Sequence, residues 1–356
     1  MNLTELFSPV AIAARWTEAA SNRIPYLGEG LFPADKQAGL DLKWIKGSKG
    51  VPVSLMPSAF DAKATFRDRV GVEKLETEMP LFREGYKIKE RDRQDILRAQ
   101  SSNDPYVAAA IARVFDDAAD LIEGANVVPE RERMQLLFPL NGNMGINIKA
   151  NGVDYTYNYD PTGTWKTNNY FALSGNALWT ASATADPFND IRVAKDAISA
   201  RTGSDLRIIV MNRTTFGYLR NNAAIKSRYL SVNGLSLGYL TDSEIINILK
   251  DTADLDGVVV YDKQYRNENK VASKFVPDGY VALLPTGALG TTWYGTTPEE
   301  ADLMGKDAAQ VSIVNTGVAI TQILDPHPVN LNTFASEIVL PSYERADEVA
   351  LLKVIA

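Results

Sequence analysis

Residues 279–300 read GYVALLPTGALGTTWYGTTPEE. A Pro277-Asp278-Gly279 turn signal leads into the apolar run at residues 280–284, which is therefore predicted to be a strand. The segment Gly287-Ala288-Leu289-Gly290-Thr291-Thr292 behind it occupies the place of a phosphate loop. It has neither the Gly-Lys-Ser/Thr ending nor the spacing of a dinucleotide fingerprint, so it reads as a structural turn. Moving towards the N-terminus, Gly257 precedes a strand at Val258-Val259-Val260-Tyr261, and Thr241 with Glu244 makes a capping box ahead of Ile245, Ile248 and Leu249. Farther upstream, Asp186-Pro187 starts a helix through Ile191, Ala194 and Ile198 that stops at Gly203 and hands over to the apolar strand Leu206–Met211. Helix and strand thus alternate across residues 186–320, the pattern of a mixed α/β unit.

Upstream of that unit the texture differs. Asp104-Pro105 is an N-cap and first-turn signature, and Val107, Ile111, Val114, Phe115, Ala118 and Ile122 fall on one face of the helix it opens. A second helical piece follows Pro129 through Arg131, Met134, Leu136 and Leu137, which predicts one long helix, kinked or broken between Gly124 and Pro129. Ile146 and Ile148, then Val153, Tyr155 and Tyr157, flank Asn151-Gly152 as a hairpin. Residues 28–94 carry short alternating runs, including Leu42, Trp44, Tyr86 and Ile88, with too few large apolar residues for a core of their own. They read as a two-stranded excursion that needs a partner surface. Residues 3–20, with Leu6, Phe7, Val10, Ile12 and Ala13 on one face, read as a short arm helix. The tail is strand-like at Ile338, Val339 and Leu340 and again at residues 349–355. These last strands are expected to pack on the elements before Asp186, which would make the α/β unit an insertion in another domain.

Composition removes several chemistries. Cysteine is absent and histidine occurs once, at His327 between Pro326 and Pro328, so thiol nucleophiles, disulfides and paired-histidine zinc motifs are excluded and a triad has only one imidazole to draw on. No cofactor and no metal are expected. The 37 basic and 44 acidic residues give a formal charge of -7, and no basic cluster points to tight nucleic-acid binding. No apolar run approaches the roughly 20 residues of a membrane span, and the opening residues lack the basic and apolar blocks of a signal peptide. Asp116, Asp120 and Glu123, with Asp117 beside them, form an acidic stripe that reads as a solvated helix face rather than a cation site. Lys87, Lys89, Arg91 and Arg93 alternate with Glu90 and Asp92, a pattern that discourages uncontrolled strand pairing. Trp165, Trp179 and Trp293 read as core or interface anchors.

The order of these parts resembles a known family. Residues 279–284, then Gly287-Ala288-Leu289-Gly290-Thr291-Thr292-Trp293-Tyr294-Gly295-Thr296-Thr297-Pro298-Glu299-Glu300, look like the corresponding region of the lambda-type (family E) major capsid proteins of tailed phages. VVVYDKQ at residues 258–264 before Phe275-Val276-Pro277-Asp278, the Asp186-Pro187 helix, residues 51–61 and Arg131-Glu132-Arg133-Met134-Gln135 agree in order. The resemblance spreads over most of residues 30–345. It implies an α+β fold of the HK97 type, with residues 1–30 as an N-terminal arm and 31–94 as an extended β-loop. Residues 95–185 with 321–356 would form a peripheral domain carrying a spine helix, and 186–320 an inserted mixed α/β axial domain. The implied function is a structural one: self-assembly through hexamers and pentamers into an icosahedral shell enclosing double-stranded DNA, in a virion assembled in the host cytoplasm. Implied partners are other copies of the chain, a scaffolding protein, a portal and, on some shells, a decoration protein. No membrane and no sequence-specific DNA contact are implied, and mild acidity suits a wall along which DNA slides. Trp44, Phe60, Phe66, Tyr86, Lys87, Lys89, Arg91 and Arg93 are expected at the contact with the next subunit's helix.

Three other classes compete. A bacterial nanocompartment (encapsulin-like) shell shares the fold and differs in its cargo. A tail-tube protein would lack the long helix and the α/β unit. A soluble α/β enzyme would need a convergent site that the histidine and cysteine counts disfavour, and fold alone does not supply one.

Overall fold

In a computed structural model, described over residues 8–20, 25–46, 73–88, 90, 94, 105–150, 152–233, 240–305, 309–327 and 329–356, the chain divides into two units, each woven from three stretches. The first comprises Met1–Lys43, Glu76–Glu132 and Thr291–Ser342; the second comprises Trp44–Leu75, Arg133–Gly290 and Tyr343–Ala356.

The first unit is organised by the strand Val329–Ser342, whose length gives it room for two neighbours on one edge. Val318–Pro326 pairs along its other edge, with Gln310–Val314 outermost. Leu81–Ile88 and Thr291–Tyr294 follow one another along the remaining edge, and Ala34–Lys36 runs parallel to the latter. The result is a six-stranded sheet. Gly85 is a glycine for a local reason: a Cβ there would lie 2.4 Å from the Phe334 ring across the ladder. One apolar cluster joins Ile12 and Trp16 of the helix Pro9–Ala20 to Ala118, Leu121 and Ile122 of the long helix and to Val314, Val318, Ile320 and Ala335 of the sheet.

The long helix, Pro105–Leu137, is a single element of 33 residues. The one long helix expected from the sequence is present, and it runs unbroken through Gly124 and Pro129. A proline costs a helix one N–H bond and a steric contact, about 3 kcal/mol, and a glycine about 1 kcal/mol, while burial along the helix supplies more than that. Ala118, Leu121, Ile122, Met134, Leu136 and Leu137 are all buried.

The second unit holds a five-stranded mixed sheet in the order Tyr170–Ala172, Ala350–Lys353, Tyr280–Pro285, Leu206–Met211, Gly257–Val260. The two outermost pairs are parallel and the inner two antiparallel. The parallel step from Leu206–Met211 to Gly257–Val260 is bridged by the helices Arg213–Asn221, Ala223–Asn233 and Asp242–Ala253. With Pro187–Thr202 these helices bury Ile191, Phe216, Ile245 and Leu249 against Ile209, Val281 and Leu352 of the sheet. Both predicted caps are formed: Asp186 accepts from Asn189 N, and Thr241 and Glu244 complete the capping box. The hairpin Gly145–Ala150 with Val153–Asn158 turns through Gly152 at φ +80°.

Two sequence expectations change. Leu81–Ile88, read as part of the partnerless excursion, is laddered into the six-stranded sheet, because its alternation matches the free edge of Val329–Ser342. Of that excursion, the described residues leave Asp41–Lys46 with Glu73–Glu78 as a two-stranded ribbon. Residues 291–320, read with the α/β unit, group with the six-stranded sheet. The final strand Ala350–Lys353 does pack on an element before Asp186, Tyr170–Ala172, as expected, and its other edge pairs with Tyr280–Pro285 of the α/β unit. Its residues Ala350, Leu351 and Leu352 are buried, which an inner strand covered on both faces requires.

Candidate functional site

The residues singled out for contact between subunits fall into three groups. Trp44 turns inward: it is buried, with its ring 5.2 Å from that of Tyr159, so it serves internal packing rather than an outer contact. Tyr86 and Lys87 stand exposed on Leu81–Ile88, opposite Thr333 and Asn332. Phe60, Phe66, Lys89, Arg91 and Arg93 lie outside the described residues.

Tyr86 is 45% exposed, and its phenol is raised above its ordinary range by burial of part of the ring and then by Asp117, Asp120 and Glu84. Tyr86 thus lies within electrostatic reach of Asp117 and Asp120 of its own chain. Among the described residues no group of carboxylates is arranged to hold a metal ion. Glu123, the last member of the stripe, accepts the Tyr26 hydroxyl at 2.8 Å.

The start of the glycine-bearing turn presents two carbonyls to a guanidinium. Arg345 Nη1 donates to Thr286 O at 3.1 Å and to Ala288 O at 2.9 Å, and its Nη2 pairs with Glu348 at 2.6 Å. A turn whose carbonyls face a guanidinium is the reverse of an anion cradle. His327 is exposed in the turn between the two longest strands. Trp165 and Trp179 are core anchors, donating to Ala346 O and Asp190 Oδ2; Trp293 is half-buried and donates to Ser342 Oγ.

Two acidic anchors escaped the sequence reading. Glu299 is buried, ion-paired with Arg83 at 2.5 Å and accepting from Ser336 at 2.9 Å, while Glu300 beside it pairs with Lys36 at 2.5 Å. The short helix Pro298–Asp302 thereby ties three strands of the sheet together. The second anchor is Glu130, whose carboxylate is fully buried and accepts the Gly28 N–H on both oxygens, at 3.2 and 3.1 Å. For Glu299 the sequence held a signal, an acidic pair directly after Thr297-Pro298; for Glu130 it held none beyond an acid beside a helical proline.

The sequence profile of the family described as Phage major capsid protein E matches residues 8–354. The chain belongs to that family. It is thus a shell-forming capsid protein, a structural component of the virion that associates with copies of itself, and the family decides against the enzyme and nanocompartment alternatives. The fold agrees. A prophage protein of E. coli CFT073 described as a capsid protein superposes with a TM-score of 0.59 at 16% identity, covering 100% of this chain and 99% of that one. A phage-related protein from Bordetella bronchiseptica RB50 superposes with a TM-score of 0.55 at 15% identity, covering 96% of each chain. No curated protein sequence matches. The α+β architecture is the HK97-type capsid fold, and no described helix is long and apolar enough to cross a membrane.

Proposed function

We propose that this capsid protein assembles through hexamers and pentamers into a closed icosahedral shell around double-stranded DNA. The observation that carries the reading is the family match over residues 8–354. Residues 1–30 act as the arm and the ribbon region within 31–94 as the extended loop. The unit built on the six-stranded sheet serves as the peripheral domain, and the mixed α/β unit as the axial domain. The ribbon Asp41–Lys46 with Glu73–Glu78 supports the loop assignment, since two strands alone are marginal in water and gain a partner when laid on a neighbour. Phe60, Phe66, Tyr86, Lys87, Lys89, Arg91 and Arg93 contribute to that contact, with a separate scaffolding protein, a portal and a decoration protein as further partners.

Sedimentation velocity followed by negative-stain electron microscopy tests this, on the chain expressed alone and with its neighbouring genes. Closed shells, or pentamers and hexamers that convert to shells, are expected. A sharp monomer or dimer in both preparations would overturn the proposal. Replacing residues 47–72 by a short glycine-serine linker keeps both ribbon strands and the buried Met79. It is expected to leave a folded subunit that does not close shells; normal particles would remove the loop from the mechanism.

A further inference from the structure

The arm of the preceding proposal is useful to an assembling subunit only if it leaves the body in a defined direction, and its two docked pieces differ in how they are held. The helix Pro9–Ala20 is held by apolar contact, through Ile12 and Trp16. Val10 is 69% exposed, and the buried Trp16 indole N–H makes no hydrogen bond. Apolar contact is non-directional, so this docking fixes a face but not an angle.

The segment that follows is held by directional bonds on two sides. On one side the Tyr26 hydroxyl reaches Glu123 and the Gly28 N–H reaches Glu130, two helical turns farther along the same face of the long helix. On the other, Thr292 donates from its hydroxyl to Phe32 O at 2.9 Å and from its N–H to Pro33 O at 2.9 Å, and Gln37 N–H donates to Tyr294 O at 2.9 Å. Phe32 is fully buried between them. A buried carboxylate is a poor source of stability, because desolvation offsets most of what its partners return; the bond it makes is directional, however, and fixes the position of its donor in a way an apolar contact does not.

We infer that Glu123 and Glu130 are positioning residues for assembly: they latch the root of the arm to its own long helix and set the direction in which the arm leaves the subunit. This rests on the arm assignment above, and the experiment separates the two. Three variants are compared with the parent in the full chain: Tyr26→Phe, which removes one donor and keeps the ring; Glu130→Ala, which removes the acceptor; and Glu130→Gln, whose carbonyl oxygen still accepts from Gly28.

Hydrogen exchange of the unassembled subunit should show the Gly28 amide opening at least tenfold faster in Glu130→Ala and close to the parent rate in Glu130→Gln. In the assembly reaction, Tyr26→Phe and Glu130→Ala should give a severalfold lower yield of closed shells and a broader size distribution by electron microscopy, while Glu130→Gln recovers the parental distribution. Tyr26→Phe should melt within a few degrees of the parent, so its assembly defect is not a folding defect. Shells of parental size and yield from both Tyr26→Phe and Glu130→Ala would overturn the inference, as would an unchanged Gly28 exchange rate. So would an assembly loss confined to a Glu130→Ala subunit that no longer folds. A chain starting at residue 25 distinguishes the underlying reading: normal shells from it refute the arm assignment, whereas blocked shells alongside normal latch variants refute the latch alone.

Discussion

Asn212→Ala is expected to destabilise the mixed α/β unit by about 2–4 kcal/mol, and the magnitude follows from four hydrogen bonds made by one buried side chain. Asn212 caps the helix Arg213–Asn221: its Oδ1 accepts from Thr215 N and from Thr215 Oγ1, both at 2.8 Å. Its Nδ2 donates to Val276 O at 3.0 Å and to Asp278 Oδ1 at 2.5 Å. Thr215 Oγ1 in turn accepts the Gly279 N–H at 2.8 Å, so one amide pins the turn at residues 277–279, and the strand Tyr280–Pro285 behind it, to the start of a helix. Losing the cap costs about 1 kcal/mol. The buried Val276 carbonyl is left without its donor, for roughly 1–3 kcal/mol more, while Asp278 is accessible enough for water to replace the lost bond. Urea unfolding of the unassembled subunit, followed by a probe within this unit, should show the midpoint falling by about 1–2 M at an unchanged slope. A loss below about 1 kcal/mol would mean that water enters and satisfies these groups, and that the network does not organise the turn.

Gly279→Ala in the same turn meets two obstacles, a φ of +77° and a Cβ position 2.1 Å from the Ile355 side chain; a melting temperature several degrees below the parent is expected, and an unchanged one would refute the strain. Arg83→Met removes the cation from buried Glu299; because the arginine is partly exposed, the expected loss is about 1–2 kcal/mol by denaturant unfolding, and none would show that Ser336 and solvent suffice. Glu244 is held below the usual carboxylate range by the Thr241 N–H, then the Thr241 and Tyr229 hydroxyls. Asp278 is also held low, its burial being outweighed by Lys274 and Asn212. A carboxyl lowered in the folded state adds stability above its unfolded value and gives it up as pH falls through the folded one, so acid titration of the subunit should weaken it below about pH 4, and Glu244→Gln should flatten that slope. A slope identical to the parent's would place the acid-sensitive groups elsewhere.

The features legible in the sequence are those with local causes. The Asp186 and Thr241 caps, the Gly152 hairpin and the strand at residues 280–284 are each decided within a few residues, and each stands in the structure as read. The features misread, or undecided locally, depend on partners distant in sequence. Gly124 and Pro129 signal a break locally, and the helix continues because residues far downstream bury its face. The alternation of Leu81–Ile88 is the same in a solitary ribbon and in a sheet edge; the strand that accepts it lies at residues 331–338. Trp44 illustrates the same ambiguity in one side chain, since an aromatic residue on an alternating strand suits an outer contact and an inner one equally until Tyr159 is brought beside it. Glu130 was the least legible. A buried acid leaves no periodic mark, and its bond to Gly28 depends on a segment that arrives from the other end of the unit's sequence. For a protein whose work is to meet copies of itself, that limit has a physical source: the residues that orient an arm are selected for where a distant segment must sit, and the local pattern records only that they are charged.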